Sequence, residues 1–405
     1  MRSSGSRLLI YSHDSFGLGH LRRCRAIAHY LVERYRDLSV LILSGSPIIG
    51  SFDFRSRVDF VRVPGVIKLR NGDYTSLKLR LGVEKTLEMR RSIIHHTAEI
   101  FEPDLFLVDK EPLGLRGEVR STLETLKARG TRCVLGLRDV MDEPASLVEE
   151  WQRKGVFPAL GTFYDDIWVF GLPEVFDPLR EIPGMAALAP KLSFTGYLRR
   201  DASDPEAPLS EHAVPEGEFV LVTPGGGGDG EELIDWVISA YERDADLPHK
   251  ALVVFGPFMP AGRRAAFQAR VARDRRLSAI TFEARFEPLL ERAIGVVAMG
   301  GYNTFCEILS FGKPALLVPR TRPRLEQYLR AERAAALGLV RMLADDGARD
   351  PARMAAALRE LPFGPRLREH QRAHYLGGLE RIAELSEPWL APRRDPDRPR
   401  LPACA

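Results

Sequence analysis

Short apolar runs alternate with stretches of helical periodicity along most of the chain. Residues 8–11 precede a glycine-bearing turn and a helical pattern over 21–35. Then come an apolar run at 40–43, a helix around 77–101, a run at 105–108, a helix around 118–129, and runs at 133–137 and 167–170. Each run has the length of a strand buried on both faces, and strands alternating with helices imply a parallel sheet. The pattern breaks at a polar, acidic, proline-bearing stretch, 199–217, and then restarts. Runs at 219–222, 251–255, 278–282, 295–298 and 315–318 alternate with helices over 231–241, 261–273, 287–293, 304–311 and 325–337. The expected fold is α/β, with two doubly wound Rossmann-like domains facing a cleft. One domain spans 1–198, a linker 199–217 and the second domain 218–390. The tail 391–405, rich in Pro and Arg, is expected to be disordered. In open α/β sheets ligands bind beyond the carboxyl ends of the strands, so the loops that follow the strands should carry the chemistry.

Composition narrows the picture. Fifty-eight Lys and Arg against 55 Asp and Glu leave a net charge of +3, which gives no global case for nucleic acid or wholesale membrane binding. The stretch 55–91 holds many basic residues, among them Arg62, Lys68, Arg70, Lys78, Arg80, Lys85, Arg90 and Arg91. An anionic acceptor or a membrane surface would suit it, but Asp59, Asp73, Glu84 and Glu88 favour a solvated face. No run approaches the ~20 apolar residues of a membrane span, and the polar N-terminus lacks the apolar core of a signal peptide. Cys24, Cys133, Cys306 and Cys404 lack metal-site or C-x-x-C spacing, as befits a reducing compartment. A cytoplasmic protein, at most peripheral to a membrane, is expected. His95 and His96 are adjacent on a helix and point to different faces, which argues against a metal pair.

Four loops follow strands. The first, Ser12 to Arg23, contains Gly17 and Gly19 and places His20 at a helix N-terminus. There the helix dipole disfavours the imidazolium and leaves a neutral base at pH 7; the bland alternative is a tight turn with a histidine at its cap. The third glycine of a dinucleotide fingerprint is missing. The second loop carries Gly225, Gly226, Gly227 and Gly228 ahead of a helix. Bare amides at a helix N-terminus suit a diphosphate, and without a following Gly-Lys-Ser/Thr this is not a P-loop; the alternative is a flexible turn. The third runs Gly300-Gly301-Tyr302-Asn303-Thr304-Phe305-Cys306-Glu307. Thr304 with Glu307 reads as a capping box, and Glu307 also reads as a carboxylate for the two hydroxyls of a ribose. The fourth, Pro319 to Gln327, places Glu326 and Gln327 at another helix start, with arginines suited to phosphate, or simply in solvent.

Together these segments resemble the GT-B glycosyltransferases related to MurG, including a bacterial group within that superfamily. The specific match is Gly300-Gly301-x-Asn303-Thr304-x-x-Glu307, then Gly312-Lys313-Pro314, Pro319 and Glu326-Gln327, over about thirty residues. The glycine loops extend a weaker likeness across residues 8–340. The resemblance implies a metal-independent, inverting transfer from a nucleoside diphosphate sugar, with a uridine diphosphate sugar favoured, to a small-molecule or lipid-linked acceptor. The sugar nucleotide is then a co-substrate, and no separate cofactor or metal is implied. It also implies roles. Glu307 would bind the ribose. Gly300, Gly301, Asn303 and Thr304 would line the diphosphate, with Gly225–Gly228 opposite. Phe286, on the loop beginning at Phe282, would sit near the base. Glu326 and Gln327 would hold the donor sugar, and His20 would deprotonate the acceptor. Gly17, Gly19, Asp109, Arg138 and Asp139 lie where an acceptor would approach.

The version Gly17-Leu18-Gly19-His20-Leu21-Arg22-Arg23 also resembles PseG, a nucleotide-sugar hydrolase in which water replaces the acceptor. A sugar-nucleotide 2-epimerase would want a further carboxylate arrangement that the sequence does not offer. A non-catalytic nucleotide-sugar-binding protein is the remaining alternative.

Overall fold

The computed structural model describes residues 5–13, 19–68, 74–201, 214–225, 228–283 and 285–391 of the chain. Gly17, Gly226 and Gly227, most of the expected linker and all of the expected tail beyond Ala391 lie outside the described residues.

The first half contains strands β1 (Arg7–Ser12), β2 (Ser39–Ser44), β3 (Val58–Arg62), β4 (Val66–Lys68), β5 (Tyr74–Ser76), β6 (Leu105–Asp109), β7 (Arg132–Arg138), β8 (Asp166–Phe170) and β9 (Leu192–Phe194). Its helices are α1 (Gly19–Arg34), α2 (Val83–Phe101), α3 (Arg120–Ala128), α4 (Pro144–Arg153) and α5 (Val156–Phe163). Seven of the strands form a parallel sheet in the order β3-β2-β1-β6-β7-β8-β9, while β4 and β5 make a separate antiparallel hairpin. The second half has strands β10 (Phe219–Thr223), β11 (Lys250–Val254), β12 (Leu277–Ile280), β13 (Ala293–Ala298), β14 (Ala315–Leu317) and β15 (Arg341–Met342). Its helices are α6 (Glu231–Arg243), α7 (Ala261–Val271), α8 (Glu287–Arg292), α9 (Tyr302–Ser310), α10 (Glu326–Ala336), α11 (Pro351–Glu360), α12 (Glu369–Tyr375) and α13 (Gly378–Leu390). Its six strands are parallel in the order β12-β11-β10-β13-β14-β15.

The apolar runs become strands because helices cover both sheet faces. Leu8, Leu9, Ile10 and Tyr11 of β1, and Val220, Leu221 and Val222 of β10, are all buried. In each sheet the strand order reverses once, between β1 and β6 and between β10 and β13. The loops diverge at such a reversal and leave a crevice. One crevice receives the start of α1 and Asp109 at the end of β6; the other receives Pro224 and Gly225 after β10 and the turn after Ala298. The two switch points therefore select the loops that can meet.

The last helix departs from the expected division of the chain. α13 packs on α1 of the first half, where the Tyr35 hydroxyl donates to Ala383 O at 2.7 Å and the Ser6 hydroxyl to Leu390 O at 2.8 Å. The chain thus crosses between halves twice, and the crossings touch: Tyr197 N donates to Tyr375 O at 2.8 Å, and Gly378 N to Tyr197 O at 3.2 Å. Gly378 is required there, because a Cβ would stand 2.6 Å from Gly196 O and 2.7 Å from Tyr197 O. No helix among the described residues is long and apolar enough to cross a membrane.

Candidate active site

α1 begins at Gly19, so His20 sits in its first turn and faces Asp109 at the end of β6. His20 Nδ1 lies 2.5 Å from Asp109 Oδ2. The other carboxylate oxygen, Oδ1, accepts from Arg23 Nε at 2.9 Å and from Arg23 Nη2 at 2.5 Å. Arg23 Nη2 also lies 3.1 Å from His20 Nδ1, but a guanidinium only donates, and Nδ1 spends its proton on the closer Asp109. Nε2 is then the ring's basic atom. Burial pushes the Asp109 carboxyl up, yet the Arg23 guanidinium and His20 outweigh it and hold it well below the usual carboxylate range. Burial lowers the pKa of His20, and the opposing charge of Asp109 does not cancel the effect. The imidazole is thus neutral, as the sequence leads one to expect, but the leading cause is desolvation.

His20 lines a cavity of about 330 Å³ between the two halves. Its opposite wall is the start of α9. The turn before that helix places Gly300 at φ 80°, in the left-handed region that favours glycine, and no side chain caps the helix at Gly301. First-turn amides without partners make the helix start receptive to an anion. Thr304 is the third residue of α9, inside the helix, so the capping-box alternative does not hold. Glu307, a turn further in, is 1% exposed and lines the cavity. Its Oε1 lies 2.6 Å from Arg22 Nη2, but outside hydrogen-bonding geometry, and neither carboxylate oxygen has a hydrogen-bond partner among the described residues. Burial raises the Glu307 pKa, against the pull of Arg22.

Gly19, Gly225, Phe286, Gly301, Asn303, Thr304, Glu326, Gln327 and Arg138 also line this cavity, whereas Gly228 and Gly300 do not. Two expectations change in detail. Asn303 has both ends of its amide engaged: Nδ2 donates to Gly19 O at 2.8 Å, and Oδ1 accepts from Arg200 Nη2 at 2.9 Å. It fastens the start of α9 to the start of α1. Glu326 is held by Arg138 Nη2 at 2.5 Å, and Gln327 Oε1 accepts from Arg320 N at 3.3 Å. Burial pushes the Glu326 carboxyl up, but Arg138 and the neighbouring cations bring it down to about 2.

Asp139 requires a correction. It is fully buried, with its oxygens taken by Arg330 of α10 at 2.8 and 2.6 Å and by the Tyr197 hydroxyl at 2.9 Å. A carboxylate so enclosed holds the two halves together and does not meet an acceptor. Sequence reasoning in turn missed Arg22, Arg23 and Asp229 on the cavity wall. Arg22 and Arg23 follow His20 directly, and their place on the first two turns of the helix that presents it was the available signal. Among the described residues, no group of three or more His, Cys, Asp and Glu has the arrangement of a metal site.

Residues 221–385 match the family model of the glycosyltransferase family 28 C-terminal domain. No curated protein matches the sequence. Among solved structures, the chain resembles the glycosyltransferase of kitacinnamycin at 17% identity and a TM-score of 0.63, over 95% of this chain and 99% of that one. MurG of Acinetobacter baumannii aligns at 13% identity and a TM-score of 0.57, over 94% and 98%. UGT2 of Phytolacca americana, complexed with UDP-2fluoro-glucose and pterostilbene, aligns at 15% and 0.57, over 95% and 100%. These likenesses establish the GT-B fold. The chain has the GT-B fold, and residues 221–385 of its second half match the glycosyltransferase family 28 C-terminal domain.

Proposed function

We propose that the chain transfers a sugar from a nucleoside diphosphate sugar, with uridine as the favoured base, to an acceptor hydroxyl, inverting the anomeric carbon without a metal. The observation that carries this reading is the facing pair in one cavity: a neutral His20 tied back by Asp109, and Glu307, buried beside Arg22 with neither oxygen in a hydrogen bond among the described residues. The acceptor hydroxyl gives its proton to His20 Nε2. Its oxygen forms a bond to the anomeric carbon as the bond from that carbon to the diphosphate breaks. Asp109 stabilises the imidazolium, and the α9 amides with Arg320 receive the charge of the departing diphosphate. The two ribose hydroxyls donate to Glu307, whose buried oxygens make no hydrogen bond among the described residues.

Transfer is favoured over hydrolysis by a second cavity of about 880 Å³, which shares the wall of His20 and offers far more room than water needs. The support for uridine is the ligand of the Phytolacca americana neighbour.

Glu307→Gln tests the donor site. Charge-assisted hydrogen bonds contribute about 1.5–3 kcal/mol each, so UDP affinity is expected to fall at least tenfold. The unliganded variant is expected to melt lower than the parent, because the substitution takes away the counter-charge of Arg22, 2.6 Å from Glu307. A thermal-shift titration reads both quantities: UDP at a hundredfold excess over its Kd adds about 2.7 kcal/mol to the parent. An unchanged UDP shift in the variant would refute the ribose assignment. A second measurement tests the metal-free departure: turnover is expected to persist in excess chelator, and loss of turnover restored by a divalent cation would overturn that part.

A further inference from the structure

The second cavity differs from the first in its charge. Eight Lys and Arg side chains line it against three carboxylates, in a chain whose totals are nearly balanced at 58 and 55. The three carboxylates are already engaged: Glu111 with Lys154, Glu150 with Lys154 and Arg324, and Glu326 with Arg138. Lys110, Arg120 and Arg153 have no carboxylate partner among the described residues. A concave surface with unneutralised charge of one sign focuses the field and gathers counter-ions.

Lys110 is the most telling of the three. It follows Asp109 directly, so its position is set by the same strand that orients His20. Its backbone is held at φ 69°, a left-handed conformation unusual for lysine, by Lys110 N donating to Gly136 O at 2.7 Å. Burial, then the nearby charges of Arg138 and Arg324, push its ammonium down to about 8. An anion beside it would relieve both effects.

We propose that this cavity binds the acceptor, and that the acceptor is an anion whose carboxylate or phosphate is held by Lys110, with Arg120 and Arg153 at the rim, close to the hydroxyl that faces His20. This rests on the transfer reading above. Cations at the wall of His20 select a hydroxylated acid or phosphate ester over its neutral counterpart, because a neutral acceptor would leave Lys110 unpaired in a partly buried site.

The full chain, saturated with UDP to fill the donor cavity, is titrated calorimetrically with inorganic pyrophosphate. Binding is expected, weakened about tenfold to a hundredfold in Lys110→Gln. Arg120→Ala/Arg153→Ala, whose side chains are at the exposed rim, should weaken it in the same direction and serves if Lys110→Gln does not fold. UDP affinity should be unchanged in all variants. Displacement of bound pyrophosphate by glucose 6-phosphate marks a free anionic acceptor, and displacement by phosphatidylglycerol vesicles a lipid-borne one; either supports the proposal. Displacement by neither overturns it. If UDP binds and pyrophosphate does not, or binds all variants equally, the anionic acceptor falls while the donor reading stands. If UDP itself does not bind, the failure lies with the donor reading.

Discussion

Replacing His20 with alanine is expected to lower transfer by about 10²–10⁴-fold, the usual contribution of a positioned general base. UDP binding should stay close to that of the parent. The separation follows from the geometry. His20 meets Asp109 through Nδ1 and presents Nε2 to the cavity, while the groups assigned to the nucleotide lie on α9 and the turn after β10. The pH profile carries the same information. Burial lowers the His20 pKa below that of an ordinary imidazole near 6.5, and the neutral ring is the active form. Thus kcat/KM should be flat through neutral pH and fall only below pH 6.5, as the ring takes up its proton. Asp109, held far lower by Arg23, stays ionised across that window. Transfer within threefold of the parent in His20→Ala, or an acid limb centred above pH 6.5, would remove His20 from the role of base.

The largest loss of stability is expected from Asp139→Ala. Arg330 is fully buried; it donates through Nε and Nη2 to Asp139 and through Nη1 to Gly300 O at 2.9 Å. Truncating the carboxylate would leave a guanidinium without its counter-charge and the Tyr197 hydroxyl without an acceptor. Removing one partner of such a pair costs about 3–5 kcal/mol. The double variant Asp139→Leu/Arg330→Met removes both charges and should recover much of that loss. Chemical denaturation of the three proteins checks this. A single variant within 1 kcal/mol of the parent, or a double variant less stable than the single, would contradict the assignment.

The strands of both sheets were legible because parallel strands are apolar on both faces and interrupt helical periodicity plainly. β3 and β9, at the edges of the first sheet, and the two-residue β15, at the edge of the second, were not, since they lie largely outside the core and lack a continuous apolar run. The hairpin β4–β5 has strands of only three residues each, and the helices α4 and α5 lie in a stretch whose periodicity was not resolved. Strand order is absent from a linear pattern, so nothing in the sequence selected the β1–β6 and β10–β13 reversals. The loop proposed to hold the donor was readable because its turn and helix start are consecutive residues. The His20–Asp109–Arg23 constellation was only half readable. His20 and Asp109 stood out singly at strand ends, but their meeting depends on two strands adjacent in space and 89 residues apart in sequence. Asp139 was misplaced for a related reason: position at a strand end does not tell an outward carboxylate from one that a distant arginine encloses.

The two crossings of the chain give the cleft its mechanics. A single linker would let one half swivel and twist freely against the other. Here the segments at Tyr197 and Gly378 lie side by side and are hydrogen-bonded to each other, while α13 is fastened along α1. They act as the two leaves of one hinge, which permits rotation about a line and resists torsion across it. Any opening of the cleft about that line would return His20 to the same bearing on the start of α9, with the alignment set by the path of the backbone.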